Sequence, residues 1–449
     1  MDLNKLNTDF FARTKNYTSE FEEGGVNYYK IVHDSLIRKL TFVSKGISNK
    51  LFLPPLFLKL LFILKSFKSK KDSGLFVRKK SSDLVVSNTR LSDGKHVYLE
   101  RILPHITENN PTVVNLNNVE QYDEADFTRR DIQEFYGNQL LDSASLSLLQ
   151  DLKRLYSRLQ SLGIFSKEEL NFILVGINEF WLNADVWRRF FEANSFKRLF
   201  IIPGYQTEAI LYGAKKASVE IVELQHGIIS NYSNFYIYPD FVSQIRDQAL
   251  FPDKVFVFGE FWKKRLASGG EYDDYQIAIL GDYFYKSSKK SRERIIDNKK
   301  SIIFAGQKPV DLEFQKSYLV FLKNEIRKRK LDYVIYHKPH PLEQVDDYED
   351  VYDEILRTTD VDIATLFDSS DIFISMFSTT LYEARQAGLK VYSLYYDDFG
   401  YYTDELDCSN VAKKIEVHQF PMDIPFDKER FPSDYFFSKF DASILKTKR

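Results

Sequence analysis

The stretch "RLFIIPGYQTEAILYGAKKASVEIVELQHG", Arg198 to Gly227, decides the fold. An apolar run, a segment of helical character and a second apolar run follow one another, which predicts a strand, a helix and a strand. Two strands joined through a helix form a βαβ unit, whose strands pair in parallel through a right-handed crossover. The segment therefore predicts an α/β fold built on a parallel sheet.

The same alternation continues on both sides of this segment. Before it, short strand-like runs such as "DLVVSN" and "KHVYLERIL" precede a long helical stretch, roughly residues 126–162. After it, strands alternate with helices from "KVFVFG" through "SIIFAG" and "DYVIYHKPHP" to "LKVYSLYY". We expect two doubly wound, Rossmann-type α/β domains facing a central cleft. The predicted divisions are a helical, basic region at 1–80, a first domain at 81–250, a second domain at 251–430 and a tail at 431–449.

Composition narrows the class of protein. A chain of 449 residues is too long for one typical core and suits two or three domains. The net charge of -2 gives no reason to expect a nucleic-acid partner. The single cysteine, Cys408, excludes an internal disulfide and fits a reducing compartment. The N-terminus lacks the basic-then-apolar pattern of a secretory signal, so we expect a cytoplasmic protein.

An apolar segment beside a basic cluster stands out near the N-terminus. "LFLPPLFLKLLFIL", Leu51 to Leu64, is shorter than the roughly 20 apolar residues that a spanning helix needs. "KSFKSKK", Lys65 to Lys71, follows it. Such a pair predicts peripheral association with the inner face of the cytoplasmic membrane. The alternative is a buried helix followed by a solvated loop.

The opening segment ends on Gln225, His226 and Gly227. Ligands of doubly wound sheets lie at the carboxyl ends of strands, which would place His226 at the rim of the cleft. Histidine titrates near neutral pH and suits a general base, although a histidine packed at a strand end is the structural alternative. Glu223 would either orient this site or act as the base itself.

"HKPHP", His337 to Pro341, supplies several hydrogen-bond donors at another strand end. His337, Lys338 and His340 suit a phosphate, and the prolines stiffen the loop. The alternative is a proline-bounded turn whose histidines are merely exposed. Gly306 and Gln307, after the strand "SIIFA", would let backbone amides approach the same phosphates.

"SMFSTTLYEARQAG", Ser375 to Gly388, predicts a strand end followed by a helix. The hydroxyls of Ser378, Thr379 and Thr380, together with first-turn amides, would form an anion site. Thr380 and Glu383 have the spacing of a capping box, so an ordinary capped helix is the alternative.

Three motifs, "ELQHG" (Glu223–Gly227), "KPHP" (Lys338–Pro341) and "SMFSTTLYEA" (Ser375–Ala384), occur in this order. Together they resemble bacterial surface-polysaccharide glycosyltransferases of the GT-B fold, including sialyl- and Kdo-transferase-like enzymes. CDP-glycerol glycerophosphotransferases, with a histidine-glycine motif before a later His-Pro motif, are also similar. The resemblance covers roughly residues 198–394. Sialyltransferase-like families carry two acidic residues and a glycine where this chain has Gln225, His226 and Gly227.

The resemblance implies a role for each domain. The second domain would bind the donor nucleotide, with His340 and Pro341 near its phosphate and Ser378 and Thr379 as the phosphate-binding pair. The first domain would hold the acceptor, with His226 as the catalytic base. Glu383 would hold a ribose hydroxyl, although its capping position is the stronger interpretation. Family likeness implies no essential metal and no cofactor beyond the nucleotide-sugar co-substrate, which would be CMP-, CDP- or UDP-linked.

The expected function is therefore that of a nucleotide-sugar-dependent glycosyltransferase. It would extend a cell-surface polysaccharide, such as capsule or lipopolysaccharide, or a lipid-linked acceptor at the inner membrane face. Two alternatives stay open. One is polyol-phosphate transfer of the CDP-glycerol type on the same fold, and the other is a non-catalytic scaffold of a polysaccharide assembly complex.

Overall fold

The computed structural model describes residues 3–44, 81–87, 91–92, 95–96, 99–106, 111–116, 126–137, 142–204, 207–232, 236–246, 248–282, 299–308, 310–340, 343, 348–349, 351–352, 355–359, 361–426 and 431–446. Its helices are α1 (Leu3–Thr14), α2 (Tyr29–Ser44), α3 (Leu99–Ile106), α4 (Arg129–Tyr136), α5 (Ser143–Ser161), α6 (Lys167–Ala193), α7 (Glu208–Lys216), α8 (Glu260–Ser268), α9 (Leu312–Lys328), α10 (Ile363–Ser369), α11 (Thr379–Gln386) and α12 (Gly400–Cys408).

The strands are mostly short and buried. They are β1 (Glu22–Glu23), β2 (Val26–Asn27), β3 (Asp83–Ser87), β4 (Leu91–Ser92), β5 (Lys95–His96), β6 (Thr112–Asn115), β7 (Phe127–Thr128), β8 (Arg198–Ile202), β9 (Glu220–Leu224), β10 (Lys254–Val257), β11 (Ile277–Ile279), β12 (Lys300–Ala305), β13 (Tyr333–Lys338), β14 (Ile355–Arg357), β15 (Ile372–Ser375), β16 (Lys390–Leu394) and β17 (Lys413–Ile415).

Two parallel sheets carry the fold. The first has the strand order β11-β10-β9-β8-β3-β6-β7 and the second β14-β13-β12-β15-β16-β17. In each sheet the earliest strand lies inside, and the chain winds outward from it in both directions. The strand order therefore reverses between β3 and β8 in the first sheet and between β12 and β15 in the second, which makes these the switch points. The prediction of two doubly wound α/β domains is confirmed.

Local sequence explains the central elements. The opening segment folds as β8, α7 and β9, and the two strands pair in parallel from Arg198 with Glu220 onward. The predicted helical stretch 126–162 divides into β7, α4 and α5, because Asp142 caps a new helix by accepting from the Ser145 backbone N–H. "KHVYLERIL" is mostly helix rather than strand, because its apolar residues recur at helical spacing in α3.

The boundary predicted between residues 250 and 251 is wrong for the sheets. β10 pairs with β9, Val255 lying opposite Glu223, and β11 pairs with β10. Both strands thus extend the first sheet, and the chain passes to the second sheet only between β11 and β12. The apolar runs alone did not show this, because strands of both sheets carry the same buried pattern.

The C-terminal segment is part of the first domain rather than a separate tail. The Phe261 N–H donates to the Tyr435 carbonyl over 2.8 Å, and the Ser438 N–H donates to the Phe258 carbonyl over 2.8 Å. Farther along, the Arg198 guanidinium donates to the Leu445 carbonyl over 2.9 Å. The chain therefore leaves the first domain after β11 and returns to it after the second sheet is complete.

The N-terminal helices also pack into the first domain. Tyr28, Tyr29, Val32 and Leu36 are buried in its core. The apolar and basic segments at 51–71, for which we predict membrane association, lie outside the described residues. None of the helices in the described ranges combines the length and apolar character that crossing a bilayer requires.

Candidate functional site

The predicted phosphate-binding segments flank the switch point of the second sheet. Gly306 and Gln307 follow β12, and Ser378 follows β15, its immediate neighbour. The Ser375 hydroxyl donates to the Ala305 carbonyl over 3.0 Å and ties the two strand ends together. Sequence reasoning thus selected two segments that the fold brings to one edge.

Gln225 explains why the opening segment ends as it does. Its side chain is 1% exposed, and its Oε1 accepts from the Phe258 N–H over 2.8 Å. Its Nε2 donates to the Gly227 carbonyl over 2.8 Å. One amide group therefore joins the end of β9 to the end of β10 and fixes the turn that presents His226.

His226 is half-buried and has a defined partner. Its Nδ1 lies 3.3 Å from the hydroxyl of Tyr236, a residue that is 2% exposed. The same hydroxyl hydrogen-bonds the carboxylate of Glu223. Sequence analysis missed Tyr236, because no spacing rule connects a loop tyrosine to a histidine at a strand end.

Glu223 lies too deep to act as a base on a substrate, so that part of the prediction is wrong. It is 3% exposed, and its Oε1 accepts from the Gly204 N–H over 2.9 Å. Burial raises the pKa of its carboxyl to about 7. A Cβ added at Gly204 would overlap this carboxyl, so glycine is required for the close approach. The orienting role that the sequence suggested for Glu223 stays a prediction.

A second buried carboxyl lies in the same domain. Glu271 is fully buried, and its Oε1 accepts from the Tyr238 N–H over 2.6 Å. Burial raises the pKa of this carboxyl to about 8, although nearby Arg246 favours the charged form. The folded protein therefore holds a proton here that the unfolded chain, with the ordinary value of 4.5, releases.

This extra proton predicts a pH-dependent stability. Because the folded state binds the proton more tightly, the free energy of unfolding should fall as the pH rises from about 4.5 to 8. Glu271→Gln should remove this proton's contribution to stability. The difference in the free energy of unfolding between wild type and variant should therefore change between pH 4.5 and 8. Urea unfolding at several pH values measures it. Glu313→Gln, at a side chain 81% exposed, is the matched control. Parallel profiles for wild type and Glu271→Gln would contradict a protonated carboxyl.

His337 does not face the candidate site. It is fully buried, its Nδ1 lies 3.0 Å from the Tyr352 hydroxyl, and its ring centroid lies 4.4 Å from that of Tyr348. Burial lowers its pKa to about 3, so the ring is neutral in the folded protein. β13 runs through Lys338, which makes His337 an interior strand residue, and the prediction that it binds phosphate does not fit.

Lys338 is also structural. Its Nζ donates to three backbone carbonyls, those of Thr358 (3.0 Å), Thr359 (2.6 Å) and Val361 (2.8 Å). An ammonium group has three hydrogens, and these contacts use all of them. The predicted phosphate contact therefore does not fit, and Lys338 instead holds the chain between β14 and α10.

We expect Lys338→Met to lower the free energy of unfolding by about 1–3 kcal/mol, because three carbonyls lose their donor. Chemical denaturation measures the change. Lys390→Met, at an exposed side chain, should stay within about 0.5 kcal/mol of wild type. A loss of affinity for inorganic phosphate that is confined to Lys338→Met would restore the phosphate role.

The loop that carries His340 is held by a buried pair that sequence analysis missed. Glu343 accepts from the His340 N–H over 2.7 Å and from the Gln315 Nε2 over 3.1 Å. Gln315, fully buried on α9, also accepts from the Gln307 N–H over 3.0 Å. A Cβ at Gly306 would overlap the Glu343 carboxylate. His340 is half-buried, while its neighbour Pro341 lies outside the described residues.

The helix α11 begins earlier than predicted. Ser378 is its N-cap, accepting from the Thr380 N–H over 3.3 Å and from the Thr380 hydroxyl over 2.8 Å. The predicted capping box of Thr380 and Glu383 is therefore wrong. Glu383 is half-buried, and burial raises the pKa of its carboxyl to about 7, with the charges of Asp282 and Asp362 adding to the rise.

The loop after His226 joins the two domains. The Ser230 hydroxyl and, over 3.1 Å, the Asn231 N–H donate to the carboxylate of Glu405 on α12, which also pairs with Arg265 of α8. The Tyr232 and Tyr401 rings lie 5.2 Å apart. The segment that presents His226 is thus anchored on the second domain.

Within the described parts of the chain, no three His, Cys, Asp or Glu side chains come together as metal ligands would. The structure thus points to no metal-binding group among these residues.

No protein-family model and no curated protein matches the sequence. Solved structures with a similar fold include MurG from Acinetobacter baumannii, with a TM-score of 0.42 and 12% identity, covering 76% of this chain and 88% of that one. A UDP-GlcNAc 2-epimerase from Neisseria meningitidis bound to UDP-GlcNAc has a TM-score of 0.41 and 13% identity, and the match covers 74% of this chain and 86% of that one. A UDP-GlcNAc 2-epimerase from Methanocaldococcus jannaschii has a TM-score of 0.43 and 13% identity, and the match covers 81% of this chain and 98% of that one. At these TM-scores and identities the likeness carries no argument about this chain, and its two parallel sheets are established by its own strand order.

Proposed function

We propose that this chain is a glycosyltransferase that transfers a sugar from a nucleotide-sugar donor to a hydroxyl of a polysaccharide or lipid-linked acceptor. The observation that carries the proposal is the placement of His226. It is half-buried at the carboxyl edge of the first sheet, its Nδ1 lies beside Tyr236, and its loop contacts the second domain. A general base between two domains needs this combination of access and fixed orientation.

The chemistry proposed for His226 is that of a general base. With Nδ1 engaged by Tyr236, Nε2 takes the proton of the acceptor hydroxyl as its oxygen attacks the anomeric carbon. The bond from that carbon to the donor phosphate oxygen breaks, and the nucleotide leaves with the electron pair. The proton stays on the imidazole until it exchanges with water.

The second domain supports the donor half of this reaction. The start of α11 directs the positive end of its dipole toward the switch point, where Gly306 and Gln307 lie on the other side. The Ser378 oxygen accepts twice, which leaves its hydroxyl hydrogen to donate to a phosphate. Donors fixed near the leaving phosphates stabilise the charge that develops there.

His340 and Glu383 complete the proposed donor site. The backbone of His340 is fixed by Glu343, and its imidazole would donate to a phosphate oxygen. Glu383 has no capping role, which leaves its carboxyl for a ribose hydroxyl.

A thermal-shift screen against CMP, CDP, UDP, GDP and their sugar conjugates tests the proposal. A nucleotide at 100 times its Kd should stabilise the protein by about 2.7 kcal/mol. Thr379→Val should reduce the rise in melting temperature that the nucleotide causes, whereas Thr365→Val, at an exposed site on α10, should not. Product analysis then separates the reactions, because a glycosidic bond supports the proposal and a phosphodiester identifies polyol-phosphate transfer. No shift with any nucleotide would favour a non-catalytic scaffold.

We further propose a cytoplasmic site of action at the inner membrane surface, on the sequence of residues 51–71 alone. Cell fractionation after replacing Lys65, Lys68, Lys70 and Lys71 with glutamine tests it. An unchanged distribution would contradict the electrostatic contribution.

A further inference from the structure

We propose that Tyr236 is a positioning residue, which links the Glu223 carboxylate to His226 and thereby decides which ring nitrogen of His226 carries the proton. This inference rests on the proposed role of His226 as the base and specifies how that base is kept in its working form.

The contacts of Tyr236 place it between Glu223 and His226. Glu223 is a residue of β9, whereas His226 lies in the turn two residues beyond the end of that strand. Glu223 is directed inward to the Gly204 N–H, whereas His226 is half-buried at the rim. Tyr236 comes from a different segment, and its one hydroxyl reaches the carboxylate and the Nδ1 of His226. Tyr236 thus contacts both side chains.

The hydrogen count fixes the tautomer. A tyrosine hydroxyl has one hydrogen and can also accept. An ionised Glu223 can only accept, so Tyr236 donates to it and must accept from Nδ1–H of His226. The lone pair of the neutral ring is then on Nε2, the nitrogen that takes the acceptor proton. When the ring becomes positive, its Nδ1–H keeps the same acceptor.

Protonation of Glu223 reverses the chain of hydrogen bonds. A neutral carboxyl can donate to the Tyr236 oxygen, and Tyr236 then donates to Nδ1, which places the remaining ring hydrogen on Nε2. That tautomer has no lone pair for the acceptor hydroxyl. Because burial raises the pKa of Glu223 to about 7, this reversal falls in the neutral range.

The charged surroundings of Glu223 are defined. Lys30 of α2, which is 3% exposed, favours the ionised form, and its Nζ lies 3.8 Å from Glu208 of α7. Glu208 favours the neutral form, and the Tyr272 ring is a further titratable neighbour. Gly204 and Tyr236 donate to the carboxylate and favour its charge. Burial is the strongest of these influences and opposes the charge.

Nitrogen-15 NMR of the histidine rings tests the inference without any assay of transfer. In wild-type protein at pH 8 we expect the His226 signals of the Nδ1–H tautomer, assigned by their loss in His226→Gln. Tyr236→Phe keeps the ring and removes the hydroxyl, so the population should move to Nε2–H, which free neutral histidine prefers. Tyr238→Phe is the matched control, because its hydroxyl is buried without a hydrogen-bond partner among the described residues, and it should leave the tautomer unchanged.

Two results would overturn the inference. One is an Nε2–H tautomer in wild type at pH 8, and the other is an unchanged Nδ1–H tautomer in Tyr236→Phe with the melting temperature preserved. Both can be observed even if the chain transfers no sugar, so failure of the proposed function and failure of this link are distinguishable.

A kinetic measurement then connects the tautomer to the reaction. Tyr236→Phe should lower kcat by about 10–100-fold, the loss seen when the hydrogen-bond partner of a metal-binding histidine is removed, and leave KM unchanged. In this variant, the fall of kcat at acid pH should also no longer include the part that protonation of Glu223 causes. A rise in KM at constant kcat would instead indicate a purely structural tyrosine.

Discussion

Replacing His226 with alanine is expected to lower kcat for sugar transfer by about 10²–10⁴-fold, the usual contribution of a general base. The reason is that no described neighbour can take over. Glu223 is 3% exposed and Tyr236 is 2% exposed, so neither side chain is accessible to an acceptor. Initial rates at saturating donor measure the loss, and donor affinity by thermal shift should stay near the wild-type value because the donor segments belong to the second sheet.

His418→Ala is the control for this experiment. His418 is exposed on the second domain and contributes to none of the proposed donor segments, so its loss should leave kcat unchanged. Full activity in His226→Ala would remove this histidine from the mechanism. Equal losses in both variants would point to a general effect of histidine replacement on the protein.

Glu405→Ala is expected to lower the free energy of unfolding by about 3–5 kcal/mol, the typical cost of removing one partner from a buried ion pair. Glu405 is 8% exposed, and its carboxylate serves the Ser230 hydroxyl, the Asn231 N–H and Arg265 together. Without it, the Arg265 charge stays buried and the loop after His226 loses its anchor on the second domain. Urea unfolding measures the loss, and kcat should fall as well because the proposed base would no longer be held against the second domain.

Asp404→Ala, one residue earlier on α12, provides the matched control. The pair that Asp404 forms with Lys414 over 2.8 Å is exposed, with 53% and 32% of the side chains accessible. Surface pairs of this kind contribute about 0–1 kcal/mol. If Glu405→Ala and Asp404→Ala lower the free energy of unfolding by the same amount, Glu405 contributes no more to stability than an exposed ion pair does.

Much of the fold could be predicted from the sequence, because hydrophobic periodicity is local. β8, α7 and β9 follow from apolar runs and helical spacing within one segment. The membership of β10 and β11 in the first sheet could not be predicted, because strand order depends on which edges meet after folding. The same limit explains the return of the C-terminal segment to the first domain.

Prediction of the site was less complete, for reasons that differ by residue. His226, Ser378 and Gly306 were selected because strand ends and helix starts have sequence signals. His337 and Lys338 were misassigned because the pattern could not show that β13 continues through them into buried surroundings. A signal for Gln315 was present, since it occupies the apolar spacing of α9 with Tyr318, Leu319 and Leu322. For Tyr236 no signal exists, because its contacts are made entirely by tertiary structure.

The pairing of Glu343 with Gln315 has a mechanical consequence. A single carboxylate and a single amide support the ends of β12 and β13 together, so neither loop can shift without disturbing the other. A ligand that displaces His340 would therefore also displace the backbone at Gly306 and Gln307. In the proposed donor site the two loops should therefore respond to a ligand as one stiff unit, and a change in ligand preference would have to arise from side chains facing the ligand rather than from a rearranged loop.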